Sequence, residues 1–293
     1  MRNFLRKIHA VRRNIGSICP ILMGTMLFSA CAHQTAPSVS TAKPTEPSTG
    51  LQIEKGPHCL GCEPRKAPVS LLILHYTAGS LPASLDILQG KKAEHRVGAH
   101  YLVTDEVPPR VIRLVPENMS AFHAGKSAWG NLDWLNQHSI GIEIVHPDGN
   151  IVPYSPAQAA LVADLCADIV RRHRIHPTKV LGHSDVAIGR KVDPGVLFPW
   201  SYLAARGVGA WPSAEEVRAQ EAWSKSVKPD EVRGLLSAYG YRIEPGEAGL
   251  KAGLEAFQKH FRARKTDGVA DMETVAILRA LLRLPGPSDG VRR

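Results

Sequence analysis

The densest chemistry in this chain lies in residues 182–195, Gly182-His183-Ser184-Asp185-Val186-Ala187-Ile188-Gly189-Arg190-Lys191-Val192-Asp193-Pro194-Gly195. An imidazole, two carboxylates and a lysine share one short run, and Gly182, Gly189, Pro194 and Gly195 punctuate it as loop rather than helix. His183 and Asp193 could hold a metal, with Lys191 turned into the same site. A hydrolytic metal centre needs three protein ligands, one open position, and neighbours for proton transfer and transition-state charge. His75 is the third candidate ligand. Two histidines and a carboxylate suit zinc, and the same set could hold ferrous iron. Glu143 sits inside the apolar run Ser139-Ile140-Gly141-Ile142-Glu143-Ile144-Val145. An ionised carboxylate is costly there unless it faces a site, which makes Glu143 the candidate acid/base group.

Strands must position these groups. Val69-Ser70-Leu71-Leu72-Ile73-Leu74-His75-Tyr76-Thr77 reads as a strand buried on both faces, with His75 at its end. Further strands are expected at residues 99–104, 111–115 and 139–145, and a short one at 179–183 delivers the loop. Helical patterns cover residues 84–92 and 155–173. The second opens with Ser155 as cap and Pro156 at the first position, and carries Leu161, Val162, Leu165, Cys166 and Ile169 on one face. A closing helix begins near Trp200. Alternating strands and helices predict an α/β domain with a mixed sheet over residues 68–212. After a charged, helical connector at 213–228, helical spacing at 230–239, 250–261 and 272–282 predicts a small independent three-helix bundle within 229–285.

The 293 residues carry a formal charge of +9, but Arg2, Arg6, Lys7, Arg12 and Arg13 precede residue 31 with no acid among them, leaving +4 for the rest. That balance is too mild to argue for nucleic acid, and the chain is expected to act as a monomer. Residues 1–30 read as an export signal, with a basic start, an apolar run from Ile15 to Ala30 and small residues before Cys31. Leu27-Phe28-Ser29-Ala30-Cys31 resembles the bacterial lipobox, which implies an acylated Cys31 as a membrane anchor; Ala32 after the cysteine favours the periplasmic face of the outer membrane. Residues 31–67 then read as a flexible tether, poor in large apolar residues at their start. Export implies an oxidising compartment, so Cys59 and Cys62 are expected to form a small local disulfide. Cys166 is expected in the core.

Five motifs in order carry a family resemblance: Leu74-His75-Tyr76-Thr77-Ala78, Gly98-Ala99-His100-Tyr101-Leu102-Val103, Phe122-His123-Ala124-Gly125-Lys126-Ser127, Ser139-Ile140-Gly141-Ile142-Glu143, and the 182–195 run. Together, over residues 68–206, they resemble the type 2 N-acetylmuramoyl-L-alanine amidases, including the lipid-anchored outer-membrane members. Residues 229–283 resemble the three-helix peptidoglycan-binding domain through Phe257-Gln258, Asp267-Gly268-Val269 and Thr274, with Ala270 where a glycine is usual. The resemblance implies an amidase or peptidoglycan-recognition-protein-like fold. It also implies zinc on His75, His183 and Asp193, Glu143 as general base and Lys191 as oxyanion stabiliser. The bond cleaved would join N-acetylmuramic acid to L-alanine in peptidoglycan, during cell-wall turnover. His123 and Trp129 are assigned to substrate contact, with support of a metal ligand as the other reading of His123. Asp185 would brace the loop, His100 would be packed, and His173 and His176 would be exposed. Two other functions stay open: a non-catalytic peptidoglycan receptor and a zinc peptidase acting within the stem peptide.

Overall fold

The apolar run ending in His75 is the middle of the fold. A computed structural model describes residues 50–56, 60–90 and 96–284. In chain order its elements begin with β1 (Ile53–Lys55), β2 (Cys62–Pro64), β3 (Leu71–Tyr76) and α1 (Leu81–Leu88). Next come β4 (Tyr101–Val103), β5 (Val111–Arg113), β6 (Met119–Ala121), β7 (Ala128–Trp129), β8 (Leu132–Asp133) and β9 (Ser139–Ile144). Then follow α2 (Pro156–His173), β10 (Val180–Gly182), α3 (His183–Val186) and α4 (Trp200–Ala205). The chain closes with α5 (Ala214–Glu221), α6 (Pro229–Tyr239), α7 (Gly246–Phe261) and α8 (Met272–Leu281). The main sheet has the order β1-β5-β4-β9-β3-β10, parallel throughout except for the β4/β5 pair. It is the mixed α/β sheet the sequence predicts.

Alternation along β3 divides its side chains between two cores. Leu72 and Leu74 join Ile140, Ile142 and Ile144 against Val162, Leu165, Cys166 and Ile169 of α2. That helix starts as expected, with the Ser155 hydroxyl accepting from the Gln158 amide and Pro156 at the first position. Leu71 and Ile73 point the other way, into a cluster with Leu181, Val186, Trp129 and Leu135 that continues into Val232, Leu236, Leu254 and Phe257 of the C-terminal helices and Tyr241 between them. His75 is on this second face.

The shared cluster corrects the expectation of an independent bundle. Amphipathic spacing shows that a helix has an apolar face but not what covers it. The connector is helical as expected, and it is no mere link: α5 is capped by Ser213 and Glu216 in a reciprocal box and packs on α8. The expected tether over residues 31–67 is shorter than its composition suggests, because β1 pairs with β5 and β2 with β6, so the fold starts before residue 68. These strands are three residues long and one ends in Pro64, too little pattern for a period-2 signal. Arg65 seals that edge, donating to the carbonyls of Glu117, Gln137, Met119 and Ser139. Loop 182–195 also departs from expectation by opening with the helical turn α3. Cys31, the export signal and Cys59 lie outside the described residues. Cys166 is fully buried, and burial pushes its thiol well up.

The residues that suggested a peptidoglycan-binding module serve the fold of the helices. Gln258, fully buried, accepts from the Gly268 amide (2.8 Å) and donates to the Val269 carbonyl (2.9 Å) and the Thr274 hydroxyl (3.2 Å). Asp271 caps α8 by accepting from the Thr274 amide at 3.0 Å. Among the described residues, no helix is long and apolar enough to cross a membrane.

Candidate active site

Strand register brings the chemistry together. His75 pairs with Glu143 across β3 and β9, and Gly182 at the end of β10 pairs with Leu74, so His183 leaves the sheet beside His75. The site is therefore at the carboxyl ends of three parallel strands, where open α/β sheets leave a crevice. His75 Nδ1, His183 Nδ1 and Asp193 Oδ2 form a triangle with every side 3.0 Å. All three residues are buried.

The far nitrogens of the two imidazoles reveal which protons they hold. Ser139 donates its hydroxyl to the Leu135 carbonyl (2.6 Å), so it accepts from His123 Nε2 (3.1 Å). His123 Nδ1 is then an acceptor for His75 Nε2–H (3.0 Å), which leaves the His75 Nδ1 lone pair facing the triangle. His183 reaches the same state by donating Nε2–H to the Ala124 carbonyl at 3.0 Å. Two lone pairs and a carboxylate oxygen thus converge with no proton between them. Such a cluster is stable around a cation, and ligand atoms in a tetrahedral zinc site are about 3.3 Å apart for bonds of about 2.0–2.1 Å. The spacing and the donor set fit a metal ion.

The electrostatics agree. Burial, and next the neighbouring His183, push the His75 imidazole down to about 4, which keeps it neutral. Glu143 behaves oppositely: burial, and then the Asp193 charge, push it up to about 8 against the pull of Lys191. Its Oε2 is sealed from solvent and has no hydrogen-bond partner. The Lys191 charge adds to the fall of His75 and opposes the rise of Glu143.

Four sequence candidates are therefore together: His75, His183, Asp193 and Glu143; Lys191 lies two residues before Asp193 on the same loop. His123 and Trp129 do not line the substrate side. His123 is buried behind His75, in space that Gly141 leaves open, since a side-chain carbon there would come within 2.4 Å of the ring. Trp129 is buried against Tyr241 (4.8 Å) and Tyr239 (6.0 Å) of the C-terminal part. A Cβ on Gly240 would strike its indole at 2.4 Å. A lone indole in a small-residue loop has the same sequence signature whether it faces solvent or a second set of helices. His100 is packed as expected, accepting from the Gly141 amide at 3.0 Å, but His173 is half-buried and paired with Glu117 at 2.7 Å. Ser139 and Arg190 carry no sequence signal of their own. Arg190 donates to the carbonyls of Ala124 (3.0 Å) and Lys126 (2.7 Å), securing the loop that His183 leans on.

Comparison with known proteins adds a family to this geometry. Residues 65–196 match the N-acetylmuramoyl-L-alanine amidase family model. Over 283 residues the chain is 36% identical to N-acetylmuramoyl-L-alanine amidase AmiD of Escherichia coli, covering 91% of this chain and 97% of that protein. It is 32% identical over 162 residues to the 1,6-anhydro-N-acetylmuramyl-L-alanine amidase AmpD of Haemophilus influenzae, covering 48% of this chain and 85% of the relative. Among solved structures, E. coli AmiD in complex with the substrate anhydro-N-acetylmuramic acid-L-Ala-D-gamma-Glu-L-Lys superposes with a TM-score of 0.66, at 38% identity over 76% of this chain and 91% of that one. AmpDh3 of Pseudomonas aeruginosa in complex with anhydromuramic pentapeptide gives 0.67, at 34% identity over 73% and 91%. With likeness along nearly the whole of both chains and the reacting groups gathered at the strand ends, the chain belongs to the N-acetylmuramoyl-L-alanine amidases.

Proposed function

We propose that the chain cleaves anhydro-muramyl peptides at the amide between the muramic acid lactyl group and L-alanine, with zinc held by His75, His183 and Asp193. The observation that carries this reading is the 3.0 Å triangle of unprotonated donors beside the unpartnered Glu143 Oε2. The substrates named for the AmiD and AmpDh3 complexes support the choice of ligand. Zinc bound there supplies a Lewis acid that polarises the carbonyl and makes water a nucleophile near neutral pH. Glu143 Oε2 accepts the proton that water gives up and passes it to the leaving nitrogen of L-alanine as the carbon–nitrogen bond breaks. Lys191 sets a positive charge where the tetrahedral oxyanion collects its negative one. The His123–Ser139 chain keeps His75 turned and neutral.

Mass spectrometry of anhydro-muramyl tripeptide after incubation with the chain and zinc tests this. Free tripeptide beginning with L-alanine is the expected product. Cleavage between amino acids would establish a peptidase instead, and intact substrate with zinc bound would establish a receptor.

The outer-membrane location is proposed on residues 27–32 alone, with Cys31 as the acylated residue. Cys31→Ser should move the protein from the membrane fraction to the soluble periplasm. An unchanged membrane fraction would remove Cys31 from that role.

A further inference from the structure

The Asp185 carboxylate is fully buried and two residues beyond a metal ligand, yet two of its three hydrogen bonds come from the C-terminal helices and their lead-in. Its Oδ2 accepts from the Gly182 amide at 2.7 Å and from His260 Nδ1 at 2.7 Å. Its Oδ1 accepts from the Tyr241 hydroxyl at 2.7 Å. His260 is on α7, its ring stacked between Trp200 of α4 (3.7 Å) and Phe261 (4.0 Å). Tyr241 follows α6 and its ring abuts Trp129. The carboxylate caps α3, the helical turn whose first residue is His183. A turn of four residues has almost no stability of its own, so its geometry follows from its caps. The same turn is tied to the other loop ligand by the Ser184 amide, which donates to the Asp193 carbonyl at 2.9 Å.

We infer that the C-terminal helices are a working part of the metal site: His260 and Tyr241 are positioning residues that fix His183 through Asp185. This rests on the zinc amidase reading. A buried carboxylate left with the Gly182 amide alone would draw water or turn away, and α3 would loosen at its first residue. Two residues distant in sequence thus set the aim of a metal ligand through Asp185.

Three variants of the full chain separate hydrogen bonding from packing. His260→Phe keeps a ring between Trp200 and Phe261 but donates nothing; His260→Asn keeps a donor near the Nδ1 position and gives up the ring; Tyr241→Phe removes one hydroxyl. Zinc dissociation constants come from competition with a chelator, and kcat and KM from anhydro-muramyl tripeptide. Positioning predicts zinc bound about tenfold more weakly by His260→Phe and Tyr241→Phe, with kcat lowered at unchanged KM, as is typical when support for a metal ligand is lost. His260→Asn should stay within about threefold of the parent. Zinc affinity within about threefold of the parent in both donor-deleting variants overturns the inference. So does a larger loss in His260→Asn than in His260→Phe. If circular dichroism shows His260→Phe unfolded, Tyr241→Phe decides by the same threshold. A parent that binds zinc but cleaves nothing contradicts the amidase reading and leaves the zinc comparison valid.

Discussion

Two buried polar clusters flank the same sheet, and they are built on opposite rules. Around Glu117 every charge is answered. Arg172 donates to both carboxylate oxygens (2.5 and 2.7 Å) and to Asp168 (2.7 Å), while Tyr101 (2.7 Å) and His173 (2.7 Å) complete the set. Around His75 three acceptors face one another, and a fourth group, Glu143, keeps an oxygen without a partner. Satisfied clusters are struts, and unsatisfied ones need something from outside. The contrast separates structure from function where composition and burial do not.

Breaking the second cluster should therefore abolish work without unfolding the chain. Glu143→Ala should keep zinc and lower turnover by about a thousandfold, in the range typical of a lost general base. Full turnover in that variant would remove Glu143 from the reaction. Breaking the first should do the reverse. Glu117→Gln should cost about 2–3 kcal/mol of stability, as loss of a buried charge partner does, with zinc content and kcat unchanged. Burial would raise the Glu117 carboxyl, but His173, Arg172 and Tyr101 hold it well below the usual range. Its stabilisation is present above the unfolded value of about 4.3 and is lost as pH falls through the folded one. Denaturant titrations should show the gap between parent and Glu117→Gln closing in acid; a constant gap would contradict the assignment.

Smaller effects sharpen the comparison. Ser139→Ala frees His123, and with it the tautomer of His75, and should weaken zinc binding about tenfold with little change in melting temperature. In the metal-free chain Glu143 has the opposite pH sign to Glu117. Pushed up to about 8, it favours folding when protonated, and that contribution fades as pH rises from about 4.3 through about 8. Metal-free Glu143→Gln should then melt above the parent at pH 9 and level with it at pH 4. Equal melting temperatures at both pH values would mean that the carboxylate is not strained.

Much of the site is legible in the sequence because misplaced polarity is conspicuous. A histidine ending an apolar run and a glutamate inside another stand out against strand patterns. The Gly- and Pro-bounded loop supplies the remaining ligands. The supports are not legible, because they depend on which strands become neighbours. Ser139 and His123 are joined only when β9 lies beside the 122–124 loop. Gly141 makes room for the ring, but a glycine within a strand pattern marks a bulge or a bend as readily as a close approach. Asp185 has the pattern of a local brace, since nothing in helical spacing links it to His260, 75 residues away. Periodicity and capping locate the helices and the core face of α2, whereas β1 and β2, at three residues each, are too short to show any pattern.

Metal content tests the central claim most directly. Elemental analysis after dialysis should find one zinc per chain in the parent and in Glu117→Gln, and none in Asp193→Ala, whose fold should persist by circular dichroism. Undiminished zinc in folded Asp193→Ala, or no zinc in the parent, would contradict the reading of the His75–His183–Asp193 triangle as the metal site.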